Sequence, residues 1–175
     1  MAVGTKKSNI ITNLDLAKPS LTDHGKQIGG CKISADAFEL ATEDIGDIND
    51  VIELTRLPSH ARILSIKIYS DEVDTHASPT LATDCGIYLT DGTVVDVDAF
   101  GSAVTTGWGD APGVGVDFIA EAGAAAVVNI GKRLWEWVGE SEDPVIHYDI
   151  CLRLTAAAAT AASGTISFVI LYTND

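Results

Sequence analysis

The stretch DCGIYLTDGTVVDVDAF, residues 84–100, decides the fold because its pattern fits two different structures. The carboxylates Asp91, Asp96 and Asp98 could hold calcium, whereas the alternating side chains are typical of β-sheet. A helix-loop-helix calcium site needs oxygen ligands at alternate positions and a closing bidentate Glu. Thr-Val-Val occupies residues 93–95 instead, and no Glu closes the loop. The pattern therefore favours sheet and leaves open only weak calcium binding with another geometry.

Interpreted as sheet, the same stretch predicts a β-hairpin. Asp91-Gly92 is a strong signal for a two-residue hairpin turn. After this turn, Asp96 and Asp98 are expected on the solvent face. The residues expected to face the core are Cys85, Ile87, Leu89, Val95 and Val97.

Period-two patterns predict further strands on either side of this hairpin. They cover residues 50–58, 61–71 and 145–155, and residues 164–173 form a strand that is apolar on both faces. The alanine-rich linker at residues 156–163 is expected to be a hairpin loop. The expected core residues of the first three strands are Ile52, Leu54, Leu57, Leu64, Ile66, Ile68, Ile146, Tyr148, Ile150, Leu152 and Leu154.

One helix is predicted before the last two strands, where Ile130, Leu134, Trp135 and Val138 share a face and Gly139 ends it. The glycine-rich residues 101–117 predict a long surface loop with Trp108 at its tip. That ring has two interpretations, as a packing residue, which we prefer, or as an interface anchor.

These elements add up to an all-β fold of one domain. Several strands, one short helix and no β-α-β alternation predict an antiparallel jelly-roll-like β-sandwich. Residues 1–32 predict an extended N-terminal arm, and residues 33–175 predict the β-sandwich body.

Charge is divided unevenly between these two parts. Residues 1–32 hold five lysines and two aspartates, a net charge of +3, whereas residues 33–175 hold six basic and 23 acidic residues, a net charge of −17. An acidic body is repelled by phosphate backbones and anionic membranes, which argues against nucleic-acid or membrane partners. The basic arm either lies on an acidic surface, its own or a neighbour's, or remains a solvated terminus.

The sequence offers no pattern typical of catalysis or cofactor binding. The four histidines lack metal-pair spacing, and the three cysteines lack zinc or nucleophile signatures, as expected for reduced thiols. His147 with Asp149 is the one neighbouring pair with acid–base potential, and a surface pair is the simpler interpretation. We therefore expect no enzyme, no cofactor and no metal. The N-terminus also lacks a secretory h-region, and no run is long enough to span a bilayer.

The order of four segments resembles small head decoration, or cement, proteins of tailed bacteriophages. They are LPSHARILSIKIYSDEV, DCGIYLTDGTVVDVDAFGSAV, GKRLWEWVG and YDICLRLTAAAATAASGTISFVILY. The resemblance implies a non-enzymatic virion protein that is made in the host cytoplasm and stabilises the capsid from its exterior. It also implies a homo-oligomer, in particular a trimer, with the major capsid protein as partner.

Under this hypothesis the arm and one aromatic residue of the glycine-rich loop contact neighbouring subunits. The interface candidates are Lys6, Lys7, Ile10, Ile11, Leu14, Leu16, Lys18 and Trp108. The alternative hypothesis is a glycan-binding module, because jelly rolls also serve as lectins and exposed aromatic rings stack on sugars. Trp108 and Tyr88 are its candidate residues.

Overall fold

The computed structural model of the chain describes residues 5–17, 30–109, 115–121, 129 and 131–174. The strands are β1 (Thr5–Lys7), β2 (Cys31–Leu40), β3 (Val51–Pro58), β4 (Ala61–Ser70), β5 (Ala82–Leu89), β6 (Val94–Val104), β7 (Val116–Asp117), β8 (His147–Ala156) and β9 (Gly164–Asn174). The helices are α1 (Asn9–Leu14), α2 (Phe118–Glu121) and α3 (Leu134–Trp137), and Thr42–Ile45 forms a 3-10 helix. Across these ranges, no helix has the length and apolar character needed to cross a membrane.

The strands form two sheets, which confirms the predicted all-β sandwich. The first sheet has the order β1-β3-β8-β5-β6 and the second has the order β2-β9-β4-β7. All the described pairings among β2 to β9 are antiparallel. Apart from the hairpin β5–β6, consecutive strands from β2 onward lie in opposite sheets, as in a jelly roll. The core lies between the two sheets.

Two β-bulges, one in β3 and one in β4, determine which side chains of these strands face the core. In β3 the register against β8 shifts between Glu53 and Thr55, so Ile52, Leu54 and Leu57 are all buried although their spacing is uneven. In β4 the shift lies between Ile63 and Ser65, and it turns Leu64 outward, where half of its surface is exposed. The prediction that Leu64 faces the core was therefore wrong.

Ile63 takes the core position that was assigned to Leu64, because one extra residue reverses the side-chain alternation before the bulge. Ile66 and Ile68 lie after the bulge and face the core as predicted. In β8 the register is regular from Tyr148 to Leu154, so Tyr148, Ile150 and the leucines at 152 and 154 are buried as expected. Ile146 precedes β8 and is exposed, contrary to the prediction.

The predicted hairpin exists, but its turn is longer than two residues. Leu89 N–H donates to Thr93 O, which leaves a three-residue loop with Gly92 at φ 87°. This is the usual three-residue arrangement with a glycine in the left-handed region. The register then shifts repeatedly along β5–β6, and Val95 is exposed instead of facing the core.

The predicted helix of residues 130–138 is reduced to one turn. Gly131 has φ 81°, which breaks helical geometry before Leu134, and Ile130 lies outside the described residues. Leu134 and Trp137 are the buried side chains of α3, and the Trp137 ring packs on Phe100 with centroids 4.8 Å apart. The prediction that Trp135 and Val138 share the packing face holds only partly, since both are half-buried at the core's edge.

The linker of residues 156–163 is not a hairpin loop, because β8 and β9 belong to different sheets. It crosses from one sheet to the other at one end of the sandwich. Backbone hydrogen bonds tie it to the loop after β4, from Thr75 N–H to Thr160 O (3.0 Å) and from Ala162 N–H to Val73 O (2.9 Å).

Candidate interaction surface at the arm and the outer sheet face

The described part of the arm is built into the body. β1 pairs in parallel with β3, with Thr5 opposite Val51 and Lys7 opposite Glu53. Ser8 anchors the start of α1, because its N–H donates to Glu53 O at 2.7 Å and its hydroxyl donates to Leu54 O. The same hydroxyl accepts the N–H of Ile11 and caps the helix. Residues 5–17 thus form an edge strand and a short helix.

Ile11 is the apolar anchor of this segment, with a fully buried side chain. Leu14 is half-buried, and Leu16 is 50% exposed. Ile10 lies in α1, and its side chain is outside the described atoms. Of the predicted apolar interface residues, Leu16 is the one whose described side chain is most available to a partner.

The arm lysines pair within the chain. Lys6 lies 3.2 Å from Asp44, and Lys7 lies 2.9 Å from Asp15 and 3.6 Å from Glu53. The hydrogen bond between Lys7 and Asp15 raises the pKa of Lys7 and lowers that of Asp15. Lys18, the third predicted arm cation, lies outside the described residues. The basic arm therefore meets acidic groups of its own chain.

The ion pairs continue from the arm across the outer face of the first sheet. Arg56 on β3 forms a bidentate pair with Asp149 on β8, with Nε–Oδ1 at 2.7 Å and Nη2–Oδ2 at 2.9 Å. Its Nη1 also donates to Asp15 at 3.3 Å. Burial raises the pKa of Glu53, and neighbouring Lys7 opposes this rise. Asp15 links this face to the arm.

Trp108 and Tyr88 are both buried, at 2% and 3% exposure. Trp108 Nε1 donates to Val104 O at 3.2 Å, and the ring lies beside Val116 and Phe118. Burial raises the pKa of Tyr88 to about 12. Neither ring presents a face to solvent, so neither can stack on a sugar in this structure. An interface role for Trp108 stays a prediction, and within the chain the ring is a packing residue.

The acid–base candidates do not form a catalytic arrangement. His147 is exposed, whereas Asp149 is buried and both its oxygens are bound by Arg56. Cys85 and Cys151 are buried, and burial raises the pKa of both thiols. In the part of the chain that the structure describes, no group of three or more His, Cys, Asp or Glu side chains could hold a metal ion.

The carboxylates of the opening stretch take structural or solvent positions. Asp91 Oδ1 accepts the N–H of Thr93 at 2.9 Å and so stabilises the hairpin turn. Burial raises the pKa of Asp96, and Asp98 is exposed. Weak calcium binding at these three residues stays untested.

Sequence reasoning missed Asp74, which organises one end of the sandwich. Its fully buried carboxylate accepts backbone N–H groups from two loops, residues 76–81 and 159–160. Burial alone would raise the pKa of Asp74, but the bonds from Thr160, Thr80, Ala159 and Leu81 together lower it to about 2. Asp74 is one of three acidic residues in the loop DEVDTHASP, residues 71–79, and the sequence gives no signal that singles it out for this role.

The fold is similar to that of solved bacteriophage capsid structures. A chain in the capsid of Ralstonia phage GP4 matches with a TM-score of 0.64 and 21% identity, over 98% of this chain and 99% of that one. A chain in the capsid asymmetric unit of cyanophage Pam1 matches with a TM-score of 0.55 and 21% identity, over 92% and 97%. No protein-family model matches the sequence, and neither does any curated protein. At this identity the likeness shows a shared fold.

Proposed function

We propose that the chain is a bacteriophage virion structural protein that binds the exterior of the capsid as a decoration, or cement, protein. The observation that carries the proposal is the end-to-end match with two chains in phage capsid structures. A match over nearly the full length of both chains means that the whole domain, and not one motif, is shared. The segment order of the sequence independently suggested the same class.

Charge supports an exterior position. The chain has a net charge of −14, and an acidic surface is repelled by packaged nucleic acid. The proposed mechanism needs no catalysis. A subunit that binds only the assembled lattice stabilises it by RT ln(1 + [L]/Kd), which is about 2.7 kcal/mol per site at a hundredfold excess over Kd. Many such sites strengthen the shell against internal pressure.

An exposed apolar tip is the best contact candidate outside the arm. Val145 is 81% exposed and holds φ 54°, a strained conformation for a β-branched residue. Asp143 Oδ1 accepts the Val145 N–H at 2.9 Å, and Ser59 exchanges hydrogen bonds with the Ile146 backbone at 2.8 and 3.2 Å. A tip held this rigidly loses little conformational entropy on binding.

The partners in this proposal are the major capsid protein and further copies of the chain in a homo-oligomer, with a trimer as the proposed number. Leu16 supplies an apolar contact at the end of the described arm. Because Ile11 and Ser8 are part of the body's packing, point variants test the interface more cleanly than removal of the arm.

The test is cosedimentation of the purified chain with empty capsids of its phage. We expect saturable binding, and Val145→Asp should weaken it about tenfold or more, because a charge must then be desolvated at the contact. Ser102→Asp, at an exposed site on β6, is the matched control. Absence of binding by the unaltered chain would refute the proposed function. If both variants weaken capsid binding equally, Val145 does not lie in the interface. Light scattering of the free chain tests the trimer.

A further inference from the structure

Four exposed apolar side chains lie at one end of the first sheet and are called the apolar end below. Val145 and Ile146 come directly before β8 and are 81% and 38% exposed. Val94 and Val95 begin β6 and are 49% and 38% exposed. Exposed apolar side chains that lie together and are bordered by polar residues are typical of protein interaction sites.

The strand pairings bring these two segments to the same end of the sheet. Leu89 on β5 lies opposite Tyr148, near the start of β8. Tyr88 on β5 lies opposite Val94 on β6. Only β5 therefore separates β8 from β6, and two steps of about 4.8 Å place the segments roughly 10 Å apart across the sheet. One partner surface can cover both.

Both segments are held in place by hydrogen bonds. In the hairpin turn, Leu89 N–H donates to Thr93 O at 2.8 Å, and Gly92 N–H donates to Leu89 O at 2.9 Å. Before β8, Asp143 Oδ1 accepts the Val145 N–H at 2.9 Å. Side chains on a backbone that is fixed in this way lose little conformational entropy when a partner covers them.

The border of the apolar end is acidic. Residues 89–98 and 139–148 hold no Lys or Arg and six acidic residues, which are Asp91, Asp96, Asp98, Glu140, Glu142 and Asp143. Burial raises the pKa of Tyr148, and the nearby charges of Glu140 and Asp143 raise it further, so these two carboxylates lie close to the start of β8. The same end of a second copy would be repelled, whereas a partner with basic side chains is attracted.

We propose that the apolar end binds a protein surface that has an apolar centre and a border of lysine or arginine side chains. The apolar contact supplies affinity, and the acidic border selects the partner by charge. The identity of the partner rests on the proposed function, under which this surface belongs to a capsid subunit.

The test is an NMR titration of the full-length chain with a short amphipathic helical peptide made of leucine and lysine. We expect saturable shifts of the backbone amides at residues 94–95 and 145–147, with a dissociation constant on the order of 100 µM. One control peptide has serine in place of leucine, and another has glutamate in place of lysine. Each should bind at least about tenfold more weakly. Absence of saturation with the first peptide, equal binding of either control, or shifts confined to other residues would overturn the proposal.

Two variants compare the apolar end with an equally exposed apolar residue elsewhere. Val94→Ser removes apolar surface from this end, and Leu64→Ser makes a similar change on β4, where Leu64 is 50% exposed. We expect Val94→Ser to weaken both peptide binding and capsid cosedimentation about fivefold, and Leu64→Ser to leave both unaltered. The backbone amide spectrum of each variant reports whether it is folded. If the two variants weaken binding equally, the apolar end is not the docking surface.

Capsid binding and light scattering identify the occupant. If the peptide binds as expected and the unaltered chain binds no capsids, the proposed function fails and the chemistry of the surface is supported. If capsids bind but Val94→Ser has no effect on that binding, the proposed function stands and the apolar end is not the contact. If Val94→Ser dissociates a homo-oligomer in light scattering, the occupant is a second copy and the proposal is wrong.

Discussion

Asp74 gives the sharpest test of how this fold is held together. Four backbone N–H groups, of Thr80, Leu81, Ala159 and Thr160, approach its carboxylate at 2.7–3.1 Å, and that of His76 lies at 3.4 Å. We expect Asp74→Asn to destabilise the protein, because an amide loses the charge and turns one end from acceptor into donor. These bonds close the loop between β8 and β9 onto the loop after β4.

The size of this destabilisation follows from the shifted pKa of Asp74 and from the hydrogen bonds that its carboxylate accepts. A shift from 3.8 to about 2 corresponds at most to about 2.4 kcal/mol, and relaxation of the two loops around a neutral side chain reduces this to roughly 1–2 kcal/mol. Unsatisfied N–H groups add to this loss in the variant, so we expect about 2–3 kcal/mol in total. For a chain of this length that lowers Tm by roughly 5–10 °C.

The assay is thermal and urea unfolding of Asp74→Asn between pH 1.5 and 7, with Glu72→Gln as the exposed control nearby. Because the folded pKa is depressed, the Asp74 contribution is fully present above the unfolded pKa of 3.8 and is lost as pH falls through about 2. The difference between unaltered protein and variant should therefore shrink below pH 4. A difference under about 0.5 kcal/mol at pH 7, or one that stays constant down to pH 1.5, would refute this reasoning.

Three further predictions concern the sheets. Gly86→Ala should cost at least about 2 kcal/mol in urea unfolding, because its Cβ would lie 2.3 Å from two carbonyl oxygens of β6; a stable variant would mean that β6 sits further away. Arg56→Met should cost about 3–5 kcal/mol by leaving the Asp149 charge buried and unpaired, and adding Asp149→Leu should restore part of that loss. In thiol titration of the native protein we expect one of the three cysteines, Cys31, to react, and all three after denaturation.

Side-chain alternation predicted the sandwich well where strands are regular. β8 follows a strict period of two, so its buried face was assigned correctly from Tyr148 to Leu154. β4 shows the limit of the method, because its bulge moves Leu64 out and Ile63 in, and no residue type in ARILSIKIYS marks the insertion. The sequence of a strand reveals its period, whereas a bulge depends on the register against its neighbour.

The predicted helix and hairpin loop failed for a related reason. The apolar spacing around Leu134 is helical, but the positive φ of Gly131 keeps the helix from starting before Leu134. Apolar spacing alone does not reveal such a break. The alanines of residues 156–163 suggested a local connection, yet the strands on either side pair with distant partners. Long-range pairing of β9 with β2 and β4 decided the topology.

The arm shows what a charge pattern can and cannot reveal. The excess of positive charge in residues 1–32 left two interpretations open, an acidic contact or a solvated terminus, and Lys6 and Lys7 lie against Asp44, Asp15 and Glu53. A charge pattern gives the sign of the expected partner group but not its position. The sequence alone therefore does not distinguish an intramolecular from an intermolecular contact. Since Lys6 and Lys7 already pair with carboxylates of their own chain, any partner that binds these lysines must compete with those ion pairs.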